Sequence, residues 1–352
     1  TLFDVDYGTL VVESTTELTN ANALLLGKTT EKQTIKIGAE EITLADALNA
    51  WTSVYEGIYA TTTDKDGKRL EIRDYKKAPS IITKGLNTKP MAFLPVFPGT
   101  NCEYDSMKAF IKAGADTSSM VFKNHTAAQI KESIEAMKKY IDNAQILMFS
   151  GGFSAGDEPD GSGKFIANIL TNDTVRAAVE RFLQRDGLIL GICNGFQALI
   201  KSGLLPDGKI GSVNADSPTL AKNNINRHIS KILTTRITSN SSPWLAGTEL
   251  GSLHKIAVSH GEGKFVASEA LIADLFANGQ VATQYVDLEG FPTMDGEYNP
   301  NGSFHAIEGI TSKDGRILGK MGHSERVGTN IFKNIIGEKE QLIFANGVKY
   351  FK

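Results

Sequence analysis

The pentapeptide GICNG, residues 191–195, sets a cysteine between two glycines directly after the apolar run Leu188-Ile189-Leu190. Glycines on both sides permit a tight strand-to-helix turn, from which the Cys193 side chain would project beyond the strand. The N-terminus of a following helix favours the reactive thiolate, and the Asn194 N–H would face the position where an oxyanion forms. The motif indicates a cysteine nucleophile, although a buried structural cysteine beside two loop glycines fits it equally well when it is taken alone.

A cysteine nucleophile needs a general base and a group that orients that base. Of the six histidines, His323 lies in the sequence Gly-His-Ser-Glu-Arg, residues 322–326. Glu325 could fix the tautomer of the imidazole, as the acid of a catalytic triad does. Taken alone, these residues also fit a loop histidine beside a solvated Glu-Arg pair. Because the two motifs occur together, we expect Cys193, His323 and Glu325 to form a triad.

Three more loops rich in glycine and polar residues follow predicted strands. Residues 150–157 contain a glycine pair, whose N–H groups can approach a ligand closely and could supply a second oxyanion donor. A phosphate cradle is the weaker interpretation, since the loop lacks a Gly-Lys-Ser/Thr ending. The other loops are residues 98–102 and 259–265. Ligands bind beyond the carboxyl ends of strands in open α/β sheets, so we expect several of these loops to converge on one crevice.

The second cysteine and the metal-ligating residue types give no comparable signal. Cys102 has neither flanking glycines nor a base nearby in the sequence, so we interpret it as structural. No CxxC, HExxH or close histidine pair occurs, and we predict no metal site. With two cysteines in the whole chain, a disulfide framework is not expected and a reducing cytoplasm is the default location.

Strands that alternate with helices must position these loops. Uninterrupted apolar strands separated by helices predict a parallel sheet covered on both faces. We therefore expect an α/β, doubly wound, mostly parallel, flavodoxin-like fold for residues 89–352. The predicted strands are 91–97, 146–149 and 188–190, and the predicted helices are 106–113, 127–140, 175–183 and 196–202.

The chain becomes richer in strand-like runs after residue 211. A hairpin is predicted to turn at Asp314-Gly315. The other predicted elements are strands at 232–237, 255–258 and 281–286 and a helix at 330–336.

Residues 1–88 lack this regular alternation. They contain short β-type runs, a Thr43-capped amphipathic helix that reaches Trp51, and a charged stretch at 64–69. These elements are too few for a core, so we predict a small truncated α+β segment with a linker and a domain boundary between residues 88 and 89. The chain begins with Thr1 rather than Met, which fits a processed protein or a piece of a larger one.

Composition excludes several classes of protein. The chain has 352 residues, of which 41% are hydrophobic and 22% charged, and its net charge is −3. These values are ordinary for a globular protein and show no basic footprint for nucleic acid. No apolar run reaches the roughly 18–20 residues that a membrane span needs. We predict neither a nucleic-acid nor a membrane partner.

Four motifs in order, GGFSAGD, GICNGFQ, SHGEG and GHSER, resemble the class I, triad-type glutamine amidotransferases. More narrowly, PGTNCEYDS, GGFSAGD and GICNGFQALIKSGLLP are similar to the glutaminase domains of phosphoribosylformylglycinamidine synthases. These enzymes convert formylglycinamide ribonucleotide to its amidine in purine biosynthesis. The resemblance covers about residues 89–352.

The resemblance implies roles for the triad residues. Cys193 would attack the side-chain amide of glutamine and form a γ-glutamyl thioester. His323 would carry protons to the leaving ammonia and from the attacking water, and Glu325 would orient His323. One position departs from the family: Ser324 stands where many relatives have proline, in a His-Pro-Glu-Arg sequence.

The resemblance also implies binding residues. Gly152, together with Phe153, and Asn194 would supply oxyanion N–H groups, and Gln197 would touch the substrate glutamine. Another wall of the glutamine pocket would be formed by Ser259, His260, Gly261 and Glu262.

The first 88 residues resemble the C-terminal end of the synthetase domain in the single-chain form of these enzymes, through DYGTLVVE, LLLGKTTE and the helix ending at Trp51. This resemblance implies a C-terminal fragment of a longer polypeptide, whose partners are glutamine and the remainder of the synthetase. ATP and Mg²⁺ are expected only in the synthetase part, so no cofactor is expected in this chain.

Two other functions remain open on the residues alone. A cysteine peptidase or a γ-glutamyl hydrolase would use the same Cys193 and His323. However, papain-like proteases have their cysteine near the mature N-terminus and lack a G-x-C-x-G elbow. A regulatory or scaffolding domain with a decayed elbow is the third possibility, and the intact Cys, His and Glu set argues against it.

Overall fold

The fold is taken from a computed structural model, which describes residues 7–19, 22–64, 67–76, 89–156 and 162–352. The chain divides into two compact units, Thr1–Thr61 and Thr62–Lys352. The predicted boundary at residues 88–89 adjoins a stretch, 77–88, that lies outside the described residues. Before that stretch, the segment from Arg69 to Asp74 already belongs to the larger unit. Within that unit, Arg69 pairs with Asp287, and Asp74 pairs with Arg236.

The smaller unit contains a hairpin and one helix. Strand β1 (Thr34–Ile37) pairs antiparallel with β2 (Glu40–Thr43), and helix α1 (Leu44–Glu56) follows directly. Thr43 caps the helix, because its side chain accepts a hydrogen bond from the Asp46 N–H at 3.0 Å. The predicted capped helix is therefore confirmed. None of the residues described in this unit is buried, so they form no core of their own.

The larger unit is built on a nine-stranded sheet. Its strands lie in the order β4-β3-β5-β6-β13-β12-β11-β8-β9, and the first five are parallel to one another. Strands β7 and β10 form a separate antiparallel pair. The bounds are β3 (Met91–Val96), β4 (Asp116–Val121), β5 (Ile146–Phe149), β6 (Leu188–Ile192), β7 (Thr219–Lys222), β8 (Ile229–Ile237), β9 (Leu253–His260), β10 (Glu262–Val266), β11 (Val281–Tyr285), β12 (Ile307–Thr311) and β13 (Ile317–Lys320).

Helices cover this sheet, and the predicted α/β fold with its mostly parallel sheet is confirmed. Helix α3 packs on α5, α4 on α6, and α2 on α9. The helix bounds are α2 (Glu103–Ala113), α3 (Ala127–Asn143), α4 (Lys164–Thr171), α5 (Asp173–Gln184), α6 (Asn194–Ser202), α7 (Leu204–Asp207), α8 (Glu269–Ala277) and α9 (Ile343–Lys349), with a 3₁₀ turn at Phe304–Ala306.

The far half of the sheet differs from a fully parallel arrangement. From β13 onward, through β12, β11, β8 and β9, every neighbouring pair is antiparallel. This half contains the predicted hairpin, which turns at Gly315 with φ of 72°. The sequence reading did not identify β4, β7 or β10, whose alternately or partly exposed residues lack a continuous apolar run.

The predicted helix at residues 330–336 is wrong. Asn330 and Phe332 adopt φ values of 68° and 51°, and a right-handed helix requires negative φ. The segment forms turns, and the last helix of the chain is α9. No helix in the described residues is long and apolar enough to cross a membrane.

Candidate active site

Cys193 lies at a strained turn between β6 and α6. Its φ of 54° and ψ of −108° are costly for a residue with a side chain. The Cys193 N–H donates to the Lys320 carbonyl on β13 at 2.8 Å. A Cβ added to Gly191 would lie 2.8 Å from the Gly195 carbonyl carbon, and one added to Gly195 would lie 1.9 Å from the Phe149 oxygen. Both glycines are therefore needed for the close approach of the backbone at this elbow.

The structure brings His323 and Glu325 to the same place, with both side chains buried. His323 Nδ1 and Glu325 Oε1 are 2.6 Å apart, and the His323 N–H donates to the Ala257 carbonyl of β9 at 2.8 Å. A Cβ added to Gly151 would meet both His323 Cε1, at 2.8 Å, and Cys193 Cβ, at 3.5 Å. The imidazole and the cysteine therefore both lie within 3.5 Å of the same position beside Gly151.

The resting thiol is not yet bonded to the imidazole. Cys193 Sγ lies 3.6 Å from the Ser259 carbonyl oxygen, and His323 Nε2 is buried without a hydrogen-bond partner among the described residues. Because Glu325 occupies Nδ1, Nε2 is the ring nitrogen available to the thiol. Hydrogen bonds between catalytic groups are often loose in unliganded structures.

Each member of the His323–Glu325 pair stabilises the charged form of the other. Burial by itself lowers the pKa of His323. The Glu325 charge and the nearby polar side chains of Cys102, Cys193 and Glu325 outweigh burial and raise this pKa well above its ordinary value. Burial by itself raises the pKa of Glu325, but the His323 charge and hydrogen bond bring it below its ordinary value. The pair is therefore held as imidazolium and carboxylate.

Cys102 reaches the triad from the loop before α2. Its Sγ lies 3.8 Å from His323 Nδ1 and 3.3 Å from Arg326 Nη2. Sequence reasoning interpreted this cysteine as structural, because nothing near it in the chain is a base. The base lies 221 positions further along, so no local pattern could have connected the two residues.

Cys102, His323 and Glu325 form a compact cluster of possible metal ligands, but their geometry does not suit a cation. The 2.6 Å separation of His323 Nδ1 and Glu325 Oε1 matches a hydrogen bond that uses both atoms. The Arg326 guanidinium already places a positive charge against the Cys102 sulfur.

The predicted oxyanion donors come from two loops. Residues 99–101 and 151–153 form an antiparallel bridge, in which Asn101 N–H donates to Gly151 O at 3.2 Å and Phe153 N–H to Gly99 O at 2.8 Å. The Phe153 N–H is thus already used within the loop. Gly152 lies between the bonded groups, so its N–H points away from the partner strand. Gly152 also lines the cavity in front of Cys193. Asn194 is the first residue of α6 and directly follows Cys193, so its N–H lies at the elbow.

A cavity of about 260 Å³ opens in front of Cys193. Its volume lies just below the usual range for ligand pockets, which is roughly 300–1,000 Å³. Its walls include Gly152, Phe153, Cys193, Gln197 and the whole loop Ser259–Glu262, all of which were predicted for the site. Sequence reasoning missed the other lining residues, which are Ser162, Lys222, Asn226, Arg227 and His228.

Gln197 connects two walls of the cavity. Asn194 Nδ2 donates to Gln197 Oε1 at 3.0 Å, and Gln197 Nε2 donates to the Glu262 carbonyl at 2.5 Å. Glu262 Oε2 accepts the Ser162 N–H at 3.3 Å. The predicted substrate-binding residues Gln197 and Glu262 therefore hold the wall together as well as line it.

His260 has a fixed tautomer. The Asn301 Oδ1 accepts the Ser303 N–H at 3.0 Å, so the Asn301 Nδ2 is the atom 3.2 Å from His260 Nε2. An amide nitrogen only donates, so Nε2 accepts and the ring proton lies on Nδ1, which is buried without a partner among the described residues. Burial, with the nearby His323 and His228 charges, lowers the pKa of His260 to about 3. The ring is neutral at physiological pH.

The far wall carries positive charge that the motifs do not reveal. Lys222 ends β7, and Arg227 and His228 precede β8. His228 Nε2 lies 3.0 Å from Ser259 Oγ, and burial lowers the pKa of His228. The signal available in the sequence was the cluster of polar and basic residues at 222–228, which has no fixed spacing from the elbow.

Ser324, the position that departs from the expected proline, has a buried partner. Its hydroxyl donates to Gln341 Oε1 at 2.6 Å, and Gln341 Nε2 donates to Thr235 Oγ1 at 3.1 Å. This chain ties the residue between His323 and Glu325 to β8. A hydrogen bond thus fixes the loop at a position where proline would restrict it through its ring.

Comparisons with known proteins identify the family of this chain. Residues 89–351 match the profile of the CobB/CobQ-like glutamine amidotransferase domain. The chain is 37% identical over 253 residues to the phosphoribosylformylglycinamidine synthase subunit PurQ of Methanococcus maripaludis, covering 71% of this chain and 86% of that protein. The corresponding subunit of Sulfurimonas denitrificans is 32% identical over 253 residues, covering 71% and 95% of the two chains.

A solved structure supports the same relationship. The structure of PurLQS from Thermotoga maritima matches with a TM-score of 0.54 and 26% identity, over 75% of this chain and 100% of that one. The matched profile spans the elbow, the glycine loops and the His-Ser-Glu segment, and the resemblance stated from the four motifs is confirmed. The chain belongs to the family of CobB/CobQ-like glutamine amidotransferase domains.

Proposed function

We propose that this chain hydrolyses glutamine to glutamate and ammonia, with Cys193, His323 and Glu325 as a catalytic triad. The observation that carries the proposal is the position of a buried His–Glu pair, 2.6 Å apart, behind a strained cysteine that lines a cavity. A nucleophile, a base and an orienting acid are the three parts that this chemistry needs.

In the first half of the proposed reaction, Cys193 reacts as a thiolate paired with the His323 imidazolium and attacks the side-chain amide carbon of glutamine. The carbonyl oxygen becomes an oxyanion, which the N–H groups of Gly152 and Asn194 stabilise. The imidazolium then gives its proton to the amide nitrogen. The C–N bond breaks, ammonia leaves, and a γ-glutamyl thioester remains on Cys193.

In the second half, water enters the position that ammonia left. His323 removes a proton from this water, which attacks the thioester carbon, and the C–S bond breaks as the second oxyanion collapses. Glutamate leaves, and the Cys193 thiolate and the His323 imidazolium are restored for the next cycle. Glu325 stays ionised throughout and holds the imidazole with Nε2 towards the reacting atoms.

Charge in the cavity supports an amino acid as the substrate. Free glutamine carries a carboxylate and an ammonium group, and the cavity walls contain Lys222 and Arg227 as well as Glu262. We propose that Lys222 and Arg227 bind the α-carboxylate of glutamine. The rest of the glutamine molecule would contact Ser259, His260, Gly261 and Glu262. Arg227→Gln should therefore raise the KM for glutamine more than it lowers kcat.

Single-turnover acid quench tests this proposal. The chain is mixed with radiolabelled glutamine, quenched, and examined for protein-bound label and for equal release of glutamate and ammonia. The expected result is a label that Cys193→Ala abolishes and that asparagine does not produce. A peptidase would cleave peptides without forming this adduct. Glutamate release that survives Cys193→Ala would contradict the proposal.

We further propose that the ammonia serves a phosphoribosylformylglycinamidine synthase. The support is the identity to PurQ subunits of that enzyme and the match to a PurLQS structure. An ATP-dependent synthetase would then use the ammonia to convert formylglycinamide ribonucleotide to formylglycinamidine ribonucleotide. The proposed location is the cytoplasm.

The N-terminal segment supports a partnership with synthetase residues. Helix α1 exposes Trp51 by 78% and Val54 by 68%, and no described residue of this unit is buried. We propose that residues 1–88 complete a synthetase domain and that residues 89–352 form the glutaminase domain. ATP and Mg²⁺ would bind in the synthetase part, so calorimetry should detect no tight ATP binding by this chain alone.

Reconstitution with the synthetase part separates the two proposals. Amidine formation is measured with glutamine or with ammonium chloride as the nitrogen source. We expect Cys193→Ala to abolish the glutamine-dependent rate and to preserve the ammonia-dependent rate. Equal loss of both rates would contradict the assigned division of labour.

A further inference from the structure

A fully buried ion pair lies beneath the triad and has no part in the proposed proton transfers. Lys320 Nζ and Glu308 Oε1 are 3.2 Å apart, and both side chains are 0% exposed. Lys320 ends β13, and Glu308 lies on the neighbouring strand β12. A buried pair is costly to desolvate and is weak support for stability by itself, so its contacts must indicate another use.

Both members of the pair bind the backbone of one residue, Gly322. Glu308 Oε1 accepts the Gly322 N–H at 2.5 Å, and Lys320 Nζ donates to the Gly322 carbonyl at 2.8 Å. Thr283 on β11 donates to the other Glu308 oxygen. The two charged groups thus hold both peptide groups of Gly322 with charge-assisted hydrogen bonds.

Gly322 directly precedes His323, so fixing its two peptide groups fixes the direction from which the imidazole leaves the backbone. On its other side, His323 is held by its own N–H to Ala257 O at 2.8 Å. A Cβ added to Gly322 would lie 2.9 Å from Glu308 Oε1 and 3.0 Å from Lys320 Nζ. The two charges reach the Gly322 backbone where a side chain would otherwise be.

The same lysine also contacts the nucleophile turn. The Lys320 carbonyl accepts the Cys193 N–H at 2.8 Å, while its side chain holds Gly322. One residue therefore connects the backbone of the nucleophile to the backbone beside the base.

We propose that Lys320 and Glu308 are positioning residues, which set His323 at the correct distance and angle from Cys193. The inference rests on the proposed role of His323 as the base. Neither side chain touches the substrate. Their effect is on the placement of the imidazole, and a misplacement of about 1 Å at a reacting group can cost about 100-fold in rate.

The test compares three variants of the full chain at a temperature where all are folded. Lys320→Met removes the donor to the Gly322 carbonyl. Glu308→Gln keeps an acceptor for the Gly322 N–H but removes the charge. The double variant Lys320→Leu with Glu308→Leu removes both hydrogen bonds together with both charges, so no lone charge remains buried.

Two readouts are measured for each variant: the thermal midpoint, and the rate of Cys193 alkylation by a glutamine-analogue alkylator as a function of pH. We expect Lys320→Met to slow alkylation by about 100-fold. Its pH profile should also move to higher pH, because a displaced imidazolium no longer stabilises the thiolate. The double variant should regain thermal stability relative to Lys320→Met but not the alkylation rate. Glu308→Gln should lose stability but should lose less of the alkylation rate than Lys320→Met, since the Gly322 N–H keeps its acceptor.

Arg236→Met is the matched control. It breaks an ion pair with Asp74, 2.6 Å apart and about 15% exposed, on another strand of the same sheet, and should cost stability without moving the pH profile. The positioning role is overturned if alkylation recovers with stability in the double variant, or if Lys320→Met keeps the native rate and pH profile. Should the double variant not fold, the Glu308→Gln and Lys320→Met pair decides, because equal loss of rate in both overturns the role. Absence of labelling at Cys193 in the native chain would instead defeat the proposed function.

Discussion

Replacing Gly195 with alanine tests whether the elbow is fixed by close backbone packing. The added Cβ would lie 1.9 Å from the Phe149 oxygen, and ordinary contact begins at 3.4 Å. The turn must therefore move away from β5 by about 1.5 Å, and a misplacement of roughly 1 Å can cost about 100-fold in rate. We expect Gly195→Ala to lower the rate of Cys193 alkylation by at least about 100-fold.

The stability cost of this variant should be smaller than the loss of activity. Overpacking typically costs about 1–3 kcal/mol, and each kcal/mol shifts the thermal midpoint of a domain this large by about 2–4 °C. Alkylation is followed by mass spectrometry and unfolding by calorimetry, with Gly328→Ala as the control, since its Cβ would meet only the Ile331 side chain at 3.3 Å. A native alkylation rate in Gly195→Ala would refute the reasoning.

Three other variants test the surroundings of His323. Glu325→Gln removes the charge that raises the pKa of His323, so the basic limb of the kcat/KM profile for glutamine should move to lower pH; an unmoved limb would contradict this electrostatic account. The pKa of His323 is raised and that of Glu325 is lowered, so this pair should stabilise the fold fully between about pH 4.5 and 6.5, which are the ordinary pKa values of Glu and His. Its contribution falls as the pH rises through the folded pKa of His323 or drops through that of Glu325, which thermal midpoints of native and Glu325→Gln protein across pH will measure. Ser324→Ala leaves the buried Gln341 Oε1 without its donor and should cost about 1–3 kcal/mol in a denaturant titration; no change would show that this hydrogen bond contributes nothing. Cys102→Ala should preserve the adduct at Cys193 but slow its formation, because the Cys102 thiol contacts His323. Complete loss of the adduct in this variant would contradict the assignment of Cys193 as the nucleophile.

The elbow could be predicted from the sequence because its chemistry is local. Two glycines, one cysteine and the flanking apolar strand and helix all lie within about fifteen positions, and each has a direct physical reason. The parallel half of the sheet was predictable for a related reason: its central strands, such as Ile146–Phe149, are buried along their whole length and so read as continuous apolar runs.

The remaining features depend on contacts between distant segments. Cys102 meets His323 only after the sheet has formed, and the basic wall at residues 222–228 meets the loop Ser259–Glu262 through the pairing of β7 with β10. The burial of Lys320 could not be expected from its residue type, since lysine is seldom fully buried. The wrong helix at 330–336 has a simpler cause, because its apolar spacing is helical but its backbone adopts positive φ at two residues.

Mapping the adduct of a glutamine-analogue alkylator tests the central claim most directly. The native chain is treated with and without excess glutamine, digested, and analysed by mass spectrometry. We predict a single adduct on the peptide containing Cys193, slowed by glutamine but not by asparagine, and absent in Cys193→Ala. An adduct on Cys102 instead, or labelling of Cys193 that glutamine does not slow, would contradict the assignment of Cys193 as the nucleophile of a glutaminase.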